Sequence, residues 1–168
     1  MSDLGDTLAL MLVREIDGFE RELDLWPDDE QVWRTATGVT NSAANLALHV
    51  AGNLQYFVGG VLGGTGYARD REAEFGRRSG SRREVIEELR AARLVVQSVL
   101  RSFPDDRLVS EFPGVPGGHR IRTDRFLMHL AVHAAYHLGQ ASYLRRMLLN
   151  DTRTSGTLPL GVLTQSSS

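Results

Sequence analysis

The sequence predicts an all-α fold, a four-helix bundle with a short irregular, hairpin-like excursion before the last helix. Apolar residues recur at three- and four-residue spacing through four long segments, and each segment is bounded by a recognisable start or stop signal. The length of 168 residues suffices for one sizeable core but not for two ordinary domains. Residues 1–150 are therefore read as one bundle and 151–168 as a loose C-terminal tail.

The first helix spans Asp3 to about Asp24, with Leu4, Leu8, Met11, Leu12, Ile16, Phe19 and Leu23 on one stripe and Arg14, Asp17, Glu20 and Arg21 between them. It ends at Trp26-Pro27, because proline cannot continue the hydrogen-bond ladder and restricts the residue before it. Asn41-Ser42 supplies the next N-cap, and residues 43–62 are apolar on most faces, as in a helix buried on more than one side. Gly63-Gly64-Thr65-Gly66 closes this helix, and the charged stretch 67–75 is expected to form a loop or short turn.

A capping box, Ser81-Arg82-Arg83-Glu84, opens the third helix. Its stripe runs Val85, Leu89, Ala92, Val96, Val99 and Phe103 before Pro104 stops it. Residues 109–112 and 119–122 are read as short strands within a Pro/Gly-rich excursion. Thr123 or Asp124 then caps a fourth helix that reaches Leu149 and ends at Asn150. Helices two and four look too apolar to be covered by two amphipathic partners alone, which points to a homodimer.

Composition narrows the chemistry. A net charge of −2 offers no basic surface for a phosphate backbone, so nucleic acid is not an expected partner. The apolar run at residues 7–13 follows Asp3 and Asp6 instead of a basic segment, and the run at 126–149 contains three histidines and Arg145-Arg146. The expectation is a soluble, cytoplasmic chain with no signal peptide and no membrane span. With no cysteine, disulfides, thiolate ligands and a cysteine nucleophile are excluded, and any thiol must come from outside. Every basic residue is an arginine, which excludes Schiff-base chemistry and a P-loop lysine. Gly63-Gly64-Thr65-Gly66 is accordingly read as a helix stop, not a phosphate loop.

His129, His133 and His137 follow one another at four-residue intervals on the fourth helix. Such neighbours lie about 6 Å apart on one face, so two imidazoles can chelate one ion. Three cannot, because eight residues rise about 12 Å while each bond is about 2.1 Å. The pair is either His129/His133 or His133/His137, and a third ligand must come from another element. His49 is the only histidine on a different apolar helix, while His119 sits in the excursion. Three neutral imidazoles leave a position open for water or substrate, the pattern of a catalytic site.

Asn41-Ser42, Leu48-His49-Val50-Ala51-Gly52-Asn53, the stretch from Leu62-Gly63-Gly64 through Arg69-Asp70-Arg71 to Glu74-Phe75, and the segment from His133 to Gln140 together resemble the DinB-like (YfiT-like) metalloenzymes. The resemblance covers nearly the whole chain before the tail. It implies a four-helix bundle, often dimeric, with one histidine on the second helix and a His-x-x-x-His pair before Gly-Gln on the fourth. By that match the metal ligands are His49, His133 and His137, and His129 is the extra histidine. Characterised relatives include bacillithiol- and mycothiol-dependent transferases and a mycothiol-dependent maleylpyruvate isomerase. The implied function is therefore a divalent-metal-dependent enzyme, a thiol S-transferase or hydrolase. A non-catalytic metal-binding or stress-response module is the alternative.

Imidazole ligands favour zinc, with nickel next, and a low-molecular-weight thiol would be the co-substrate. Gln140, Asn53 and His129 are expected around the ligands, with Gln140 bonding either a ligand or a group such as Asn53. Arg69 and Arg71, with Glu74, are expected at the mouth of the site, where arginine forks suit a carboxylate substrate, and Tyr136 is a further substrate contact. Gly139 within the fourth helix suggests that something packs closely there.

Overall fold

A computed structural model describes residues 3–156 and 158–164. Four long helices make the bundle: α1 (Asp3–Asp24), α2 (Ala43–Leu54, continued as a π-helix over Gln55–Leu62), α4 (Arg82–Leu100) and α6 (Thr123–Leu149). Two short helices, α3 (Arg71–Gly76) and α5 (Asp105–Leu108), lie in the connections. Both α1 and α2 pack against α4 and α6, so the cross-section runs α1, α4, α2, α6. Leu12, Ile16, Phe19 and Leu23 of α1 meet Val85, Leu89, Val96 and Leu127 in a core closed to solvent. Each such side chain contributes about 1.5–3 kcal/mol through burial. Among the described residues no helix is long and apolar enough to cross a membrane.

The start of α2 does more than cap a helix. Ser42 accepts from the Asn45 backbone N–H, and the Asn45 carboxamide oxygen accepts in return from the Ser42 backbone N–H. The Asn45 amide nitrogen meanwhile donates to the carbonyls of Glu74 and Arg77, both at 2.9 Å, and thereby pins α3 to α2. The charged stretch predicted as a loop is thus partly helical. Asp70 caps α3 by accepting from the Ala73 N–H, and Glu74 on its inner face is buried. α3 and the turn Gln31–Trp33 lie on α2 within the one chain.

The second half of α2 is wound with i→i+5 bonds, which the sequence pattern did not reveal. A Cβ at Gly59 would stand 2.7 Å from Val95 Cγ1, and one at Gly63 2.5 Å from Val99 Cγ2, so these glycines let the wide helix approach α4. Further on, α4 ends at Leu100, before Phe103, and the expected strands reduce to a single antiparallel bridge, Glu111 with Arg122. The Val109 and Ser110 N–H groups bond back to the Asp105 and Arg107 carbonyls, and the His119 N–H to the Pro116 carbonyl, so these groups are not free for a longer ladder. Neither Thr123 nor Asp124 caps α6. The Thr123 hydroxyl instead donates to the Ser110 carbonyl, and the Asp124 carboxylate takes the Arg122 fork.

Past Asn150, which ends α6 in the left-handed conformation, the tail is tied to the body. Arg145, wholly buried, pairs with buried Glu22 and, at 2.7 Å, with Asp151, and donates to the Arg153 carbonyl. Arg21 donates to the Ser155 carbonyl. Asp151 and Arg153 thus supply the acceptors that a buried guanidinium needs. Residues 157 and 165–168 of the tail lie outside the described residues.

Candidate metal centre

His49 on α2 faces α6, where His133 and His137 are one turn apart. The three Nε2 atoms converge: His133 Nε2 lies 3.2 Å from His49 Nε2 and 3.0 Å from His137 Nε2. Ligand nitrogens about 2.1 Å from a tetrahedral ion are about 3.4 Å apart, so this triangle has the dimensions of a three-histidine face. Among the described residues these three form the group of histidine and carboxylate side chains with metal-binding geometry.

The outer nitrogens explain why the lone pairs point inward. Glu74 Oε2 lies 3.0 Å from His49 Nδ1. An ionised carboxylate only accepts, so Nδ1 carries a proton, and the neutral tautomer of the ring presents a bare Nε2 to the triangle. Arg69 Nη2 is also 3.1 Å from Nδ1, but two donors cannot bond each other; its bond goes to Glu74. Burial pushes the Glu74 carboxyl up, yet the Arg69 fork and His49 outweigh it and hold the group below the usual carboxylate range. Likewise His137 Nδ1 lies 2.8 Å from Gln140 Oε1, an acceptor, so His137 Nε2 is bare too.

Burial, with His137, His49 and His129 adding to it, pushes His133 down to about 4. Burial and His49 also lower His137, against the hydrogen bond that it donates to Gln140. Both rings are neutral near pH 7, the form that binds a metal. At most one proton, on His133 Nε2, can sit among the three converging nitrogens, so the other two turn lone pairs toward one point. A divalent ion fits this donor set.

Several expected residues take other places. Arg69 is not an open fork at the mouth: it sits behind His49 with Nε and Nη2 each 2.7 Å from Glu74, because a buried carboxylate recruits it. Arg71 is exposed, with its guanidinium 5.1 Å from the Phe75 ring, which in turn packs 4.6 Å from His49. Tyr136 is exposed with its ring 5.4 Å from His137. His129 stays out of the triangle, its ring 6.1 Å from that of His133. Gln140 bonds His137 and not Asn53, whose buried Oδ1 has no partner. Nothing packs within 4 Å of a Cβ at Gly139, so the close approach expected there is absent among the described residues.

Glu74 as the acceptor behind His49 is the residue that sequence reasoning misplaced. Its signal was Gly52, where a Cβ would stand 2.2 Å from Glu74 Oε1. Only glycine leaves room for the carboxylate at that turn of α2.

A cavity of about 430 Å³ opens beside the triangle, lined by Asn53, Phe57, His119, His129 and His133 among others. A larger depression of about 790 Å³ near Arg101 and Asp105 holds no set of ligands. Comparison with curated proteins and with solved structures returns no match. The sequence profile of the DinB superfamily matches residues 11–141, a span that contains all three converging histidines together with Glu74 and Gln140, and the chain belongs to that superfamily.

Proposed function

We propose that the chain is a divalent-metal-dependent thiol S-transferase in which His49, His133 and His137 hold the ion, zinc before nickel. The observation that carries this reading is the convergence of three imidazole nitrogens, two of the rings oriented by Glu74 and Gln140, at the edge of an open cavity. A bound ion would supply a positive charge that lowers the pKa of an incoming low-molecular-weight thiol. The chain itself has no cysteine, so sulfur must enter with the substrate. The thiol sulfur forms the new S–C bond, its proton passes to water, and the leaving group of the electrophile departs. Exposed Arg71 and Tyr136 contact the incoming molecules at the rim, and the cytoplasm, where thiols are kept reduced, is the compartment that suits the reaction.

The test is consumption of mycothiol, bacillithiol or glutathione with a panel of alkylating and arylating electrophiles by zinc-loaded protein. Turnover that disappears in His133→Ala supports the reading. A metal-loaded protein that consumes no thiol across the panel favours a non-catalytic binding module. The exposed face of α6, with Val132, Tyr136, Tyr143 and Met147 around Gly139, is also the surface we assign to a homodimer.

A further inference from the structure

His133 is the member of the triangle that also lines the cavity of about 430 Å³. The apolar lining comes from three parts of the fold: Phe57 on the π-wound half of α2, Ile121 on the excursion, and Phe126 and Leu130 on α6. Phe57 and Ile121 are only half-buried, so they keep surface for a ligand to cover. Two exposed imidazoles, His119 and His129, complete the set of ring nitrogens. Among the described residues no Asp, Glu or Arg lines the cavity, and the chain has no lysine. The arginines on either side of Ile121 are turned elsewhere: Arg120 pairs with Glu111 at 3.2 Å, and Arg122 with Asp124. Arg69 is closed on Glu74, and Arg71 stands outside the lining. The guanidinium fork that the sequence suggested for a carboxylate substrate is thus not on offer in this cavity.

We propose that the cavity is the seat of the electrophile and takes an uncharged, largely apolar compound, while carboxylated analogues are refused. As the electrophile's pocket it rests on the thiol-transferase reading; as a pocket for uncharged compounds it stands on its lining. The physical ground is the cost of a charge. A carboxylate without a counter-ion loses hydration that Phe57, Ile121 and their neighbours do not replace, whereas an uncharged group of the same shape gives up little. The volume is within the range of small-molecule sites. A compound seated there lies against His133, and so beside the ion and the thiol that the triangle would hold.

Nitrobenzene and benzoate are the probes, because the nitro and carboxylate groups match in shape and differ in charge. Each is titrated into chelator-stripped protein at about pH 8, where an ordinary imidazole is neutral, and followed by NMR at the Ile121 methyl groups and the Phe57 ring. Nitrobenzene is expected to shift both sets of signals and to bind at least about tenfold more tightly than benzoate. Ile121→Trp, which narrows the cavity from the excursion, should weaken nitrobenzene, and Ile121→Arg, which supplies the absent fork, should raise benzoate affinity about tenfold. Equal affinity for the two probes in the unaltered protein overturns the proposal, since His119 or His129 would then serve as the counter-ion. Absence of nitrobenzene binding, or binding that leaves Ile121 and Phe57 unshifted, overturns it as well. In zinc-loaded protein Ile121→Trp should raise KM for chlorodinitrobenzene and leave KM for the thiol unchanged; the reverse pattern would make this the seat of the thiol. Failure of the thiol-transferase reading would register separately, as absence of thiol consumption with the nitrobenzene preference of the stripped protein intact.

Discussion

Glu74 sets which nitrogen of His49 is available, and Gly52 sets whether Glu74 can reach it. The carboxylate is held by Arg69 on one side and by the Asn45-anchored backbone on the other, so it cannot move aside for an added methyl group at little cost. Gly52→Ala and Glu74→Gln should each lower zinc affinity by about 10- to 100-fold while the helical circular dichroism is kept. Unchanged affinity in a competition assay would show that the ring orientation does not depend on the carboxylate. A second consequence concerns acid. Because burial and the neighbouring imidazoles push His133 from 6.5 to about 4, the unfolded chain binds a proton between these values that the folded chain refuses. Metal-free protein should therefore keep its full stability above about pH 6.5 and lose it progressively as the pH falls toward 4, with His137 contributing in the same direction. Urea midpoints across this range should slope less in His133→Leu, and an equal slope would remove His133 as the cause.

At the scale of the element, α6 combines two demands. Its inner stripe fills the core, and Arg145 near its end is a wholly buried charge paired with Glu22 and Asp151. Breaking a buried pair leaves its partner uncompensated, so Arg145→Ala should cost about 3–5 kcal/mol in urea unfolding. Glu22→Leu combined with Arg145→Met should recover much of that, and additive losses would contradict the pairing. Helix boundaries were legible where a local signal exists: Pro27 after α1, Ser42 before α2, Ser81 before α4 and Asn150 after α6. The π-wound half of α2 was not legible, because its apolar residues do not distinguish one turn width from another. Nor was α3, whose charged sequence hides one inward carboxylate that matters only once Asn45 has docked it. The converging histidines were legible since helical spacing brings His133 and His137 together, whereas the choice between them and His129 came from the family resemblance. Arg69 was misread because nothing in its sequence neighbourhood says that its fork closes on Glu74.

For the molecule as a whole, the described residues of the bundle bring together the histidine triangle and an exposed apolar face on α6. Tyr143 and Met147 lie on that face with open space over Gly139, and a second copy packed there would bury them. Light scattering at micromolar concentration should give twice the chain mass of 18.6 kDa, and Tyr143→Glu should halve it. A monomer in the unaltered protein removes the dimer from the account without touching the site. The candidate site depends on four helices holding two faces in register, so that α2 gives one of the converging histidines and α6 gives two. The most direct measurement is zinc calorimetry on protein purified without a nickel column, comparing four alanine variants. His49→Ala, His133→Ala and His137→Ala should each lose affinity severely, and His129→Ala should retain most of it. Loss of binding in His129→Ala with tolerance of His137→Ala would move the chelating pair by one helical turn and contradict the centre described above.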